Sequence, residues 1–257
     1  MGFHRVLNID CISYKKHEKY RDVDLGFMDP PFNMNRNYDV HDDDMEPNEF
    51  KTWLKDRISL TSFCIRQNGT LCLHGPDKLC MIYLEWLSQT KVWELSAWVN
   101  LYYGFGQCRR TNWVDARTHL IVLNRLGADP TWNPDDVLVP SLRATKYKDK
   151  RIHDTERGGK RLPGTVWGIP EIDGPGWGRV QGTSSQKRKG HDNQLPEKYL
   201  ERIIKAYSNP KDVVYDPFGG SGTTSAVAKK LGRNSITCEI SPKYCKSIKR
   251  RLEEIDV

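Results

Sequence analysis

The chain has 257 residues, room for one sizeable α/β domain with an insertion or for two small domains. Lys and Arg number 40 against 33 Asp and Glu, a net charge of +7 that favours a polyanionic partner. Seven cysteines, odd in number and without a C-x-x-C pair, argue against a disulfide framework and a structural zinc site; with no signal peptide legible and no apolar run near the ~18 residues of a membrane span, a soluble cytoplasmic protein is expected, with no membrane partner and no metal.

From residue 5 to about 124 strand-like runs alternate with helical segments. RVLNI (5–9), DLGFM (24–28), GTLCLHG (69–75), ELSAWVNL (94–101) and THLIVLN (118–124) read as strands, and 47–67 and 77–89 as crossover helices. In the first helix Pro47 occupies a helix-start position, and Phe50, Trp53, Leu54, Ile58 and Leu60 approximate a core-facing stripe. The preceding run His41-Asp42-Asp43-Asp44 reads as a mobile acidic loop, because consecutive acids rarely all reach one ion.

Between 125 and 190 Pro, Gly, Trp and basic residues crowd together without periodicity. Trp132, Trp167 and Trp177 favour an ordered inserted module over a disordered linker. Regularity returns after 191 with a helix (195–208), a strand (212–218), a glycine turn, a helix (223–232), a strand (234–240) and a last helix (242–255), a βαβ unit. The expected organisation is one domain in two halves, 1–124 and 191–257, interrupted by 125–190.

The turn Asp216-Pro217-Phe218-Gly219-Gly220-Ser221-Gly222-Thr223 joins an apolar strand to a helix, where glycines let backbone approach a ligand and helix-start amides can donate. No Lys follows Gly222, which argues against a P-loop, and Ser225 replaces the third glycine of the dinucleotide fingerprint. Glu239 ends the next strand 19 residues past Gly220, where a carboxylate can bind both ribose hydroxyls of an adenosine.

Asp29-Pro30-Pro31-Phe32 is a second signal. Two prolines hold the backbone extended and place Asp29 at a strand's carboxyl end, the edge where open α/β sheets bind ligands. A rigid carboxylate beside an aromatic suits a flat guest bearing an amino group.

Together these motifs resemble the S-adenosylmethionine-dependent DNA amino-methyltransferases, marked by D/N/S-P-P-Y/F and F-x-G-x-G. The catalytic motif comes first and the cofactor turn last, as in the β class. Asn8-Ile9-Asp10-Cys11 resembles the N-terminal motif whose Asp contacts the cofactor's adenine, and His191, Gln194 and Pro196 match the segment that closes over its methionine end, although Asp192 and Asn193 stand where Pro and Thr are usual.

The resemblance implies a Rossmann-like, mostly parallel seven-stranded mixed sheet with helices on both faces and an inserted target-recognition region. It also implies S-adenosylmethionine as cofactor, bound by Asp10, Cys11, His191, Gln194, Asp216, Phe218, Gly219, Gly220, Ser221, Gly222, Thr223 and Glu239. Asp29, Pro30, Pro31 and Phe32 would be catalytic, methylating a flipped base, with adenine N6 favoured over cytosine N4 by Asp as the first motif residue. Double-stranded DNA is the implied partner, met by Arg143, Lys146, Lys148, Arg151, Lys187 and Arg188; homodimers are frequent in the class. An RNA or protein amino-methyltransferase, or a DNA-binding protein with an inactive fold, are the alternatives. Cytosine C5 chemistry is disfavoured, since no Pro-Cys pair is present.

Overall fold

A computed structural model describes residues 2–16, 22–36, 38–103, 111, 113–152, 155–178, 180, 186–187 and 194–256. In chain order the elements are β1 (His4–Leu7), β2 (Val23–Met28), α1 (Pro47–Cys64), β3 (Ile65–Gly75), α2 (Asp77–Gln89), β4 (Trp93–Tyr102) and β5 (Arg117–Arg125). The middle region supplies β6 (Val139–Pro140), α3 (Leu142–Thr145), β7 (Lys160–Arg161), β8 (Val166–Trp167) and α4 (Pro170–Asp173). The chain ends with α5 (Glu197–Tyr207), β9 (Val213–Asp216), α6 (Thr223–Lys230), β10 (Asn234–Cys238) and α7 (Pro242–Glu253).

One sheet runs in the order β1-β10-β9-β2-β3-β5-β4-β8. Strands β1, β10, β9, β2 and β3 are mutually parallel, and β5 lies antiparallel between β3 and β4. The sheet has eight strands where seven were expected. The extra one, β8, comes from the region read as an insertion and pairs parallel with β4 through Asn100↔Val166 and Leu101↔Trp167. A two-residue strand in a Gly- and Pro-rich stretch has no periodicity to show; the open edge of β4 is what recruits it.

Alternation along β3 and β5 divides two apolar layers. Leu71, Leu73, Ile121 and Leu123 face Phe50, Leu54 and Ile58 of α1 and Leu79 and Tyr83 of α2. Cys72, Leu120 and Val122 face Tyr199, Leu200 and Ile203 of α5 and Val227 of α6. Helix α1 stops at Cys64, three residues before the expected end, because Ile65 turns extended (φ −83°, ψ 130°) and pairs with Val23.

The middle region is ordered where its tryptophans lie. Trp167 and Trp177 are buried, and the Arg202 guanidinium of α5 sits over both rings, 5.1 and 4.1 Å from their centroids, while pairing at 2.7 Å with Asp173. Trp132 is half-exposed against Tyr207.

Candidate active site

Strand β2 is buried on both faces and ends at Met28, so Asp29 emerges at the carboxyl edge of the sheet. After the prolines and Phe32, Asn33 and Asn35 take positive φ (54° and 53°) and the chain folds back on Asp43. The Asp43 carboxylate accepts the amides of Asn33 at 2.8 Å and of Met34 and Arg36 at 3.0 Å, and Asn33 exchanges two hydrogen bonds with the Met45 backbone. The acidic run expected as a mobile loop is therefore a folded turn. Asp43, 3% exposed, is its keystone, since a buried carboxylate persists only where donors converge on it. Among the described residues no group of three His, Cys, Asp or Glu could hold a metal ion.

At the glycine turn, the glycines are required for two different reasons. Gly220 (φ 50°) and Gly222 (φ 72°) take backbone conformations that L side chains avoid. Gly219 is fixed by packing, because a Cβ there would stand 2.4 Å from Thr237 Cγ2. Gly222, expected as a cofactor contact, does not line the cleft described below; it caps α6 and lies against Ile248.

Two carboxylates frame this turn. Glu239 accepts the Gly220 amide at 2.7 Å and the Ser241 amide at 2.8 Å, so one of the amides expected to face a ligand is spent on orienting the acid. Burial pushes its carboxyl up despite these donors. Asp216 accepts the Phe218 amide at 2.9 Å, and complete burial pushes it up to about 6.

Asp10 opens a short 3₁₀ turn by accepting the Ile12 amide at 3.1 Å, and Arg57 of α1 binds its other oxygen at 2.6 Å. The Arg57 guanidinium lies 4.0 Å over Trp53, whose ring meets Phe218 at 5.8 Å. The core stripe read on α1 thus turns part of itself to the site, and Arg57, one helical turn from Trp53 on an otherwise apolar face, was the overlooked sign.

The stalk, the glycine turn, Glu239 and Asp10 meet in one cleft with about 1250 Å³ of space, part of it open to solvent. It is lined by Asp29, Pro30, Pro31 and Phe32, by Asp216 and the turn from Phe218 to Ser221 with Thr223 and Glu239, and by Asp10 and Cys11. Gln194 also lines it, buried, with its Nε2 donating to the Gln186 carbonyl at 2.6 Å. Sequence reasoning overlooked Trp53, Arg57 and His74; residues 38–41 after the stalk also line the cleft, and Asp39 accepts a hydrogen bond from the Ser241 hydroxyl.

His191 and Arg188 lie outside the described residues. Arg143 and Arg151 stand far along the chain from the cleft lining and both bind Asp149, at 2.6 and 2.9 Å, which holds that carboxyl well below its ordinary range. Lys146 and Lys148 are exposed and Lys187 half-buried. Arg143, Lys146, Lys148, Arg151 and Lys187 do not line the cleft.

A family model described as DNA methylase, of the N6/N4 type, matches residues 23–250. The chain belongs to this DNA methylase family.

Among curated relatives, the methylase is 27% identical over 252 residues to the DNA adenine methyltransferase YhdJ of Escherichia coli, covering 96% of this chain and 82% of the relative. It is 28% identical to the type II methyltransferase M1.MboII of Moraxella bovis, covering 100% and 99%. The fold is shared with M1.HpyAVI in complex with S-adenosylmethionine (TM-score 0.67, 18% identity, 97% and 99% covered). It is shared as well with the cytosine-N4-specific PvuII DNA methyltransferase (TM-score 0.71, 16% identity, 99% and 88% covered).

S-adenosylmethionine is the methylase's cofactor, and the cleft fits it. Among the described residues of its lining, Asp10, Asp29, Asp39, Asp216 and Glu239 set five carboxyls against the one guanidinium of Arg57, an imbalance suited to a cationic guest, and Trp53 and Phe218 add aromatic faces. No helix among the described residues is long and apolar enough to cross a membrane.

Proposed function

We propose that this methylase modifies the exocyclic N6 of adenine in double-stranded DNA, with Asp29, Pro30, Pro31 and Phe32 as its catalytic group. One juxtaposition carries the reading: the acidic stalk at the end of β2 shares a cleft with the glycine turn and Glu239, so an acceptor for an amine stands beside the place for a methyl donor. Asp as the first motif residue favours adenine, and the relative YhdJ bears an adenine name.

The exocyclic nitrogen is a poor nucleophile because its lone pair is delocalised into the ring. The Asp29 carboxylate and the Pro30 carbonyl accept its two hydrogens, favouring a pyramidal nitrogen whose lone pair is free to attack. Phe32 stacks on the base and replaces part of the stacking lost when it leaves the duplex. S-adenosylmethionine, when bound, supplies an electrophilic methyl group on a sulfonium. Asp10 and Cys11 would hold its adenine, Glu239 the ribose hydroxyls, Asp216 with Phe218 to Ser221 and Thr223 its middle, and Gln194 with His191 its methionine end.

Lys146, Lys148, Lys187 and Arg188, with Arg143 and Arg151 once DNA phosphates compete for them with Asp149, contact the duplex backbone. The protein acts in the cytoplasm, on DNA. Mass spectrometry of nucleosides from unmethylated DNA incubated with methyl-labelled S-adenosylmethionine tests the proposal. N6-methyladenine that disappears with Asp29→Ala is expected. N4-methylcytosine would overturn the choice of base, and methylation that survives Asp29→Ala would overturn the catalytic assignment.

A further inference from the structure

His74 is the second-last residue of β3, still paired with Leu120 of β5. Met28, the last residue of β2, pairs with Leu73, so Asp29 leaves the sheet next to the strand position that His74 holds. An imidazole 1% exposed at the end of the buried run Leu71-Cys72-Leu73 is costly unless its polar atoms are engaged, and an apolar residue would fill the place at less cost. The ring is engaged at Nδ1, which meets the Tyr199 hydroxyl of α5 at 2.9 Å, and the residue's backbone is anchored separately, its carbonyl accepting the Tyr83 hydroxyl of α2 at 2.7 Å.

The ring lines the cleft together with Asp29 and Phe32, its centroid 6.4 Å from that of Phe32. On its other side the contacts continue through Tyr199 (5.3 Å) to Trp167 (6.1 Å from Tyr199) and Trp177 (6.2 Å from Trp167). An unbroken row of rings thus joins the region between 125 and 190 to the acidic stalk. Burial, then Cys72 and the Asp29 charge, raises the Tyr199 phenol well above its ordinary value, so its proton stays on.

We propose that His74, held by Tyr199, is a positioning residue for the methyl-accepting end of the cleft, fixing where the Phe32 ring and the Asp29 carboxylate stand when a target base enters. The inference rests on the assignment of Asp29 and Phe32 to catalysis. Misplacement of a reacting pair by about 1 Å costs on the order of a hundredfold in rate, so loss of this support shows mainly in kcat.

The test uses the full chain as wild type, Tyr199→Phe, His74→Phe and His74→Asn, the last keeping a hydrogen-bonding group near the Nδ1 position. Turnover is followed on unmethylated genomic DNA with labelled S-adenosylmethionine, and cofactor affinity separately by calorimetry. Tyr199→Phe and His74→Phe are expected to lower kcat about tenfold or more with cofactor Kd within about twofold of wild type, and His74→Asn to recover most of the loss. Wild-type kcat in Tyr199→Phe, cofactor affinity lost in step with kcat, or His74→Asn as poor as His74→Phe would each overturn the inference. Should His74→Phe fail to fold, Tyr199→Phe decides. A wild type that methylates no base overturns the underlying assignment and this inference with it, whereas an active wild type with unaffected variants overturns the inference alone.

Discussion

Replacing Asp216 by Asn should stabilise the protein and weaken cofactor binding at once. Complete burial raises the Asp216 carboxyl from 3.8 to about 6, against the opposing effect of the Thr224 and Phe218 donors. A rise of about two units corresponds to about 3 kcal/mol. Because the folded value lies above the unfolded one, the folded state binds this proton more tightly. The cost is absent below about pH 4, grows as pH rises toward 6 and is complete above it. Asn has the same shape without the charge; its oxygen keeps the Phe218 amide, and the Thr224 hydroxyl can turn to accept from the new NH₂. Urea unfolding near pH 8 should show the variant more stable by up to about 3 kcal/mol, with the gap closing toward about pH 4. Calorimetry should show weaker binding of S-adenosylmethionine, because one of the cleft's carboxylates is lost. A variant less stable than wild type near pH 8, or a gap that does not narrow as pH falls, would refute the reasoning.

Glu239→Gln leaves one acceptor where two backbone amides, Gly220 and Ser241, each need one, so cofactor Kd should rise about tenfold and stability should fall by about 1–3 kcal/mol, as calorimetry and urea unfolding can check. Gly222→Ala places a Cβ at φ 72° and 2.9 Å from Ile248, so urea unfolding should show a loss of about 1–2 kcal/mol or more. Arg202→Met leaves Asp173 buried without its cation and removes the charge between Trp167 and Trp177. Stability should fall by about 3 kcal/mol, read by the same unfolding curves.

Much of the site could be read in one dimension because its motifs are rigid and local. The two prolines after Asp29 and the glycines from Gly219 to Gly222 dictate backbone shape within a few residues, and both ended up on one cleft with Glu239. At Gly222 the same rule stops short: a glycine announces an unusual conformation, while only the fold shows that a Cβ there would meet Ile248. Asp43 misled because an acid in an acidic run looks solvated until three amides are seen to converge on it.

The order of elements, the parallel sheet, the stalk and the cofactor turn were determined by the sequence alone, since apolar periodicity and Pro and Gly chemistry act over short stretches of chain. Tertiary structure decided what depends on distant partners. Arg57 meets Asp10 from a helix 47 residues away, His74 meets Tyr199 across 125 residues, and β8 becomes an eighth strand only because β4 offers an open edge. Long-range pairs of this kind leave no periodic trace in either partner, because each is satisfied by a group that chain folding, not chain order, brings near.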